Sequence, residues 1–305
     1  MTRQRPTVIT EGALWMVASC ACFSTMSALI HYLATSVSPI EIVFFRNLFG
    51  LIIIFPFVAR RGLLRPAKRT LPLYFARAAV GLIAMTAWFS AIGMMPLAEA
   101  IALNFTVPLF AIFVAIFLLG EKVGRHRWSA TILGFAGTLV ILRPGTIEFS
   151  LGAGLALGSA LGFALAMGLV KILSRTERPT TVVFYQGVIM TPVALIPALF
   201  VWQTPSWTEL GWLALLGTIA TFAHIALVRA FAAADSSAIT PLDFTRLPFA
   251  AAFGYFLFDE RIDLWTWIGA AIIIASTVYI ARREAILGRR VTVPARGEEP
   301  LNPPG

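Results

Sequence analysis

Charge is what this sequence has least of. Asp, Glu, Lys and Arg make up 13% of its 305 residues and hydrophobic residues 58%, where a soluble domain carries roughly 25% charged residues. Packing that much apolar surface into one soluble core would leave too few polar residues to cover the outside, so the composition points to a chain dissolved in a bilayer. Cysteine is scarce as well. Cys20 and Cys22 stand two apart in one apolar run and face different sides of a helix, which speaks against a disulfide, and no acid or thiolate-stabilising cluster accompanies them to make a metal site. There is no phosphate-cradling Gly-Lys motif and no span with paired catalytic acids. ATP-driven transport and membrane-embedded catalysis therefore lack their residues, and no catalytic group, cofactor or metal is expected. The net charge of +9 does not point to nucleic acid, because the basic residues fall in short clusters between apolar runs instead of forming one stripe. The opening MTRQRPTVITEG leads into an apolar run with no cleavage pattern, so that run reads as a retained helix.

What is present is a long stretch written twice. Asn104 to Lys122, NFTVPLFAIFVAIFLLGEK, returns about 139 positions later as Asp243 to Arg261, DFTRLPFAAAFGYFLFDER. The two copies share Phe105/Phe244, Thr106/Thr245, Phe110/Phe249, Ala111/Ala250, Phe117/Phe256, Leu118/Leu257 and Glu121/Glu260. The repeat extends outward: Gly12, Ser19, Phe23, Leu29 and Leu33 meet Gly152, Ser159, Phe163, Leu169 and Leu173, and Trp128 meets Trp267.

Apolar windows of membrane-spanning length place ten spans, at about 11–34, 40–58, 70–92, 95–119, 125–142, 150–174, 180–202, 207–230, 235–257 and 262–281. Short turns such as Ser38-Pro39, Arg143-Pro144-Gly145 and Thr204-Pro205 connect them and leave no room for a soluble domain. Basic residues concentrate on one side: Arg3 and Arg5, the Arg60–Arg69 cluster, Lys122 to Arg127, Arg175 and Arg178, and Arg282 to Arg290. The positive-inside rule then puts both termini in the cytoplasm. Five spans per half is odd, so the second half enters from the opposite side, the inverted-repeat plan from which alternating-access carriers are built. The expected division is a cytoplasmic N-terminus (1–10), a first repeat (11–145), a second repeat (146–281) and a charged, then Pro/Gly-rich, disordered tail (282–305).

The run PLAEAIALNFTVPLFAIFVAIFLLGEK (Pro96 to Lys122), followed by Arg127-Trp128 and the stretch Gly134 to Gly145, resembles the EamA type of the drug/metabolite transporter superfamily. Phe45-Arg46, Arg77-Ala78 and Gly81 are similar to members grouped near S-adenosylmethionine transporters and amino-acid exporters. The likeness covers about Gly12 to Ile280. The second copy departs from it in two places, with its proline one place late at Pro248 and Asp259 in place of glycine before Glu260. The resemblance implies an all-α membrane protein with ten transmembrane helices in two inverted five-helix repeats. It also implies secondary transport of small metabolites across a bacterial inner membrane, with export of amino acids or derivatives foremost and S-adenosylmethionine, nucleosides or toxic organic cations as the alternative. A channel would want a continuous polar pore, which the scattered polar residues do not offer. The expected partners are a small, amino-acid-like molecule and the lipid bilayer, not nucleic acid, with the chain acting as a monomer or homodimer.

Ionisable groups inside spans are costly and so mark candidate pathway positions. Arg246 stands three residues after Asp243, close enough for an intrahelical pair that either neutralises both or presents Arg246 to a substrate carboxylate. Arg46 and Arg77 can snorkel to the interface or touch substrate. Glu99 is either a helix-start carboxylate favoured by the dipole or a proton or amine site, on the same helix as Asn104. His224, deep in its span, is a cavity candidate, and Trp88 and Tyr185 can stack on planar cargo. Pro108 and Pro248 are candidate hinges by loss of backbone hydrogen bonds, and Gly154, Gly158 and Gly162 form a candidate sliding ridge.

Overall fold

The computed structural model describes residues 6–59, 68–120, 125–143, 150–173, 177, 179–233 and 240–291. Among them every regular element is helical. In chain order these are α1 (Pro6–Leu33), α2 (Pro39–Ala59), a 3₁₀ turn (Lys68–Thr70), α3 (Leu71–Met94), α4 (Leu97–Asn104), α5 (Val107–Phe117), α6 (Arg125–Leu142) and α7 (Leu151–Leu173). Then come α8 (Pro179–Phe200), α9 (Trp207–Ala233), a 3₁₀ segment (Thr240–Thr245), α10 (Arg246–Phe258) and α11 (Leu264–Val291). Hydrocarbon offers the backbone no hydrogen-bond partners, so a helix that satisfies its own amides is the form these apolar runs take. Among the described residues six segments are long and apolar enough to cross a membrane: Glu11–Leu33, Pro39–Pro56, Leu71–Met94, Leu97–Phe117, Leu151–Leu173 and Trp207–Ala230. Shorter apolar helices cover Trp128–Leu142, Tyr185–Phe200 and Leu264–Tyr279.

The expected spans differ from these helices in three places. The fourth is broken into α4 and α5. The ninth enters as the 3₁₀ segment before α10. The last helix continues past Arg282 to Val291, because RREAILGRRV is made largely of good helix formers. The expected disordered tail is thus helical at its start, and its remainder, 292–305, lies outside the described residues, as do 1–5 of the N-terminal segment. α1 already begins at Pro6.

The helices pair according to the repeat. α1 packs along α9, and its counterpart α7 packs along α3, the counterpart of α9. α6 and α11, which correspond to each other, pack together, as do α2 and α8. The two halves are therefore interlaced and not side by side. Glycine permits the α6–α11 contact: a Cβ on Gly269 would lie 2.5 Å from the carbonyl oxygen of Gly137, and one on Gly137 would lie 2.8 Å from that of Gly269.

The repeat also accounts for the departure at Asp259. Gly120 and Asp259 are equivalent, and both adopt the left-handed conformation, at φ 67° and 53°, where the chain leaves α5 and α10. Glycine takes that conformation freely, and aspartate is among the few other residues that visit it routinely.

Candidate functional site

The two broken helices meet at the middle of the bundle. The α4–α5 break falls at Phe105–Thr106, and its repeat counterpart falls at Phe244–Thr245. At each break the threonine hydroxyl donates back three residues, Thr106 Oγ1 to Leu103 O and Thr245 Oγ1 to Leu242 O, both at 2.7 Å. These bonds compete with regular helix and stabilise the turn. Phe105 and Phe244 touch edge to face across the pseudo-symmetry axis, with centroids 5.0 Å apart. Pro108 and Pro248 do not kink a continuous helix. They sit in the first turn of α5 and of α10, where the missing N–H has no intrahelical acceptor to lose. The chain turns before them, so what they accompany is the break and not a bend within a helix.

A cavity of about 640 Å³ opens at this crossing, within the range usual for small-molecule sites. Its walls come from both repeats. Phe23, Trp88, Phe89, Phe105, Phe163 and Phe244 supply aromatic surface, and Ser24, Ser27, Asn104 and Thr277 supply neutral polar groups. Arg46, His224, Asp243 and Arg246 supply the ionisable ones. Arg246 and Asp243 pair at 2.7 Å. The guanidinium also lies 4.3 Å from the centroid of the Phe23 ring, and Ser24 Oγ donates to Arg246 O at 3.0 Å, which ties α1 to the start of α10. Asp243 is further approached by Cys20 Sγ, 3.7 Å from Oδ1.

Arg46 is different. Its Nη1 donates to Asn47 Oδ1 at 3.2 Å, Asn47 being held in turn by Val43 O, but its Nε is buried without a partner. Among the described residues no carboxylate lies within 4 Å of it. Asn104 Nδ2 and Arg246 Nε are likewise buried without hydrogen-bond partners. His224 Nδ1–H donates to Ala220 O at 2.7 Å, and the ring meets Phe23 edge-on. With Asp243 spent on Arg246, the cavity keeps one uncompensated positive charge. Buried donors left unmade cost about 1–3 kcal/mol each, and a ligand carrying oxygen acceptors relieves that cost.

Of the residues singled out from sequence, Arg46, Trp88, Asn104, His224, Asp243 and Arg246 are thus brought together, with Pro108 on the same wall. Three others lie elsewhere. Arg77 folds over Gly81 of its own helix. Tyr185 packs near Tyr74, 6.1 Å between ring centroids. Glu99 sits in the first turn of α4, within electrostatic reach of Arg143, Asp263 and Glu260. The glycine ridge is only partly a contact surface. Gly162 meets Ala84 of α3, but a Cβ on Gly158 would face open space. Steps of four drift round the helix, and the buried small-residue face of α7 runs instead through Gly152, Ala156, Ser159 and Ala160. Sequence reasoning did not put Phe23, Phe105 or Phe244 in the site. The signal was present in the last two, as the phenylalanine retained in both NFT and DFT. Among the described residues no group of three or more His, Cys, Asp or Glu is arranged to hold a metal ion.

Among the described residues, helices in two interlaced repeats, six segments of them long and apolar enough to cross a membrane, enclose a central polar-aromatic cavity between two interrupted helices and define a multi-pass carrier architecture. A model of the EamA-like transporter family matches residues 10–143 and again 150–282, and the chain belongs to that family. The S-adenosylmethionine uptake transporter of Rickettsia prowazekii is 31% identical over 275 residues, covering 90% of this chain and 93% of that protein. The riboflavin transporter of Vibrio cholerae is 32% identical over 287 residues, covering 92% and 96%. The pseudopaline exporter of Pseudomonas aeruginosa is 26% identical over 277 residues, covering 90% and 97%. A solved structure described only as a crystal structure of a protein aligns with 95% of this chain and all of its own, at 17% identity and a TM-score of 0.58, a likeness of fold.

Proposed function

We propose that this protein is a secondary transporter of the bacterial inner membrane, with both termini cytoplasmic, and that its cargo is a planar metabolite carrying a carboxylate or comparable oxygen-rich group. The observation that carries the reading is Arg46, a guanidinium without a carboxylate partner, facing a cavity walled by six aromatic rings. The amino-acid-type cargo expected from the sequence fits the same walls: a carboxylate meets Arg46, an ammonium lies against the faces of the aromatic rings, and an attached ring stacks between phenylalanines. S-adenosylmethionine joins an amino acid to a purine, and riboflavin presents a flat ring with hydroxyls, so these two compounds head the panel to be tried. The cavity is complete within one chain, so transport needs no second copy. Without a nucleotide site in the sequence, movement follows a gradient or exchange, with α4–α5 and the 3₁₀–α10 segment flexing at their breaks to expose the cavity to one side and then the other.

Binding to the purified protein in detergent, read by quenching of intrinsic fluorescence, tests this reading. Saturable quenching by one of the panel that is reduced in Trp88→Phe is the expected result. Absence of saturable quenching by every aromatic carboxylate and flavin tried would sink it.

A further inference from the structure

At the end of the bundle where α1 finishes, a histidine and a glutamate face each other across the two repeats. His31 Nδ1 meets the carbonyl oxygen of Ile92 at the end of α3. Its Nε2 lies 3.5 Å from Glu260 Oε1. The other oxygen of Glu260 accepts the backbone N–H of Leu97, the first residue of α4, at 2.9 Å, and the Glu260 N–H donates to Gly254 O at 2.9 Å. The ring of His31 also packs edge-on against Phe258, 4.4 Å between centroids. The contact therefore joins α1 and α4 of the first repeat to the end of α10 in the second.

The donors and acceptors here do not balance without an extra proton. A carbonyl only accepts, so Nδ1 must carry a hydrogen. A neutral imidazole then presents the lone pair of Nε2 to Glu260, and a lone pair facing a carboxylate oxygen repels it. The contact is attractive only when one more proton sits on the pair, on Nε2 or on Oε1. The repeat gives a second, independent reason. The position that corresponds to His31 in the second half is Lys171, and the one that corresponds to Glu260 is Glu121, which lies outside the described residues. Where the second repeat carries an ammonium, the first carries a side chain that is a cation only when protonated.

The surrounding charges do not replace that proton. Arg143, at the end of α6, is paired at 2.7 Å with Asp263, which precedes α11. Glu99 of α4 is within electrostatic reach of Arg143, Asp263 and Glu260. Asp259 and Arg261 flank Glu260, and both are exposed. Glu209 at the start of α9 accepts from Ser206. The end of α3 and the start of α2 bring one further ionisable group, Glu41, whose Oε1 accepts from the Gln203 N–H.

We infer that His31 and Glu260 form a proton-binding site that latches the two repeats together at this end of the cavity. It deepens the transporter reading, since closing one end is what alternating access requires. The latched state holds one proton more than the opened state. It is therefore favoured as pH falls and released as pH rises, by at most about tenfold in the population ratio per pH unit.

The test measures the latch without any cargo, so that its failure is separable from failure of the transport reading. Spin labels are placed at Thr35 and Leu151, both exposed at this end, in protein whose Cys20 and Cys22 have been replaced by Ala. Their distance distribution is followed from about pH 5 to about pH 9 in lipid nanodiscs. The wild-type distribution should shift towards longer distances as pH rises. In Glu260→Gln the amide can accept from Leu97 and donate to neutral His31, so the closed distribution should persist at every pH. His31→Lys, which copies the repeat counterpart, should stay closed as well and covers the case in which Glu260→Gln fails to fold. A wild-type distribution indifferent to pH, or a shift of the same size in a folded Glu260→Gln or His31→Lys protein, would overturn the inference.

Discussion

Replacing Arg46 should make the protein more stable and worse at its task. Arg46 is held through Asn47 alone, its Nε has no partner, and no carboxylate of the described residues comes within 4 Å. An unsatisfied donor of this kind costs about 1–3 kcal/mol, and part of that cost is already relieved where the cavity is open. Arg46→Leu is therefore expected to raise the unfolding free energy by about 1–2 kcal/mol, a gain of several degrees in Tm at roughly 2–4 °C per kcal/mol. Arg246→Leu is expected to do the reverse. It strands Asp243, now paired at 2.7 Å, and because both side chains keep some exposure the loss is about 1–3 kcal/mol, less than for a fully buried pair. For binding the two variants agree in sign. A charge-assisted contact to a carboxylate is worth about 1.5–3 kcal/mol, or about 10- to 150-fold in Kd. Thermal unfolding in detergent, with and without cargo, reads both quantities at once. An Arg46→Leu protein that is less stable than wild type, or that binds an anionic cargo as tightly, would refute the reasoning.

Two further substitutions probe the scaffold. Gly269→Ala places a methyl 2.5 Å from the Gly137 carbonyl, where backbone must move. It should cost about 1–3 kcal/mol, measured as a lowered Tm, whereas Gly158→Ala, facing open space, should be neutral. Pro108→Ala and Pro248→Ala each restore an N–H that can bond to the carbonyl four residues back and draw helix across the break, so both should slow transport while leaving cargo affinity within about twofold. Unchanged transport rates in both would remove the breaks from the mechanism.

The architecture was legible because the repeat is written in residues that a membrane helix cannot substitute freely. The pairs Phe105/Phe244, Thr106/Thr245 and Glu121/Glu260 identified two equivalent spans, and the EamA-like model matches the chain twice, over residues 10–143 and 150–282. The interruption of those spans was hidden because hydropathy averages over a window. Leu97–Phe117 reads as one apolar run, and the break rests on Thr106 Oγ1 bonding to Leu103, which no window registers. Among the candidate site residues, Arg46, His224, Asp243 and Arg246 were picked out as ionisable groups within a span, a property of composition, and they face the cavity. Arg77 and Glu99 satisfied the same criterion and lie elsewhere, as does Tyr185, chosen for its ring, because which way a side chain faces depends on the neighbouring helix. The phenylalanine walls went unnoticed for the opposite reason: with 24 phenylalanines in the chain, no single one stands out until the helices are placed together.

Transport by the reconstituted protein tests the central claim most directly. Proteoliposomes would be loaded, in turn, with labelled S-adenosylmethionine, riboflavin, amino acids, nucleosides and an organic cation, with and without a pH gradient. The account predicts saturable movement of one aromatic, oxygen-rich solute, competed by its unlabelled form and lost in Arg46→Leu although that protein folds. Flux that does not saturate and selects among inorganic ions, or saturable transport indifferent to Arg46, would contradict it.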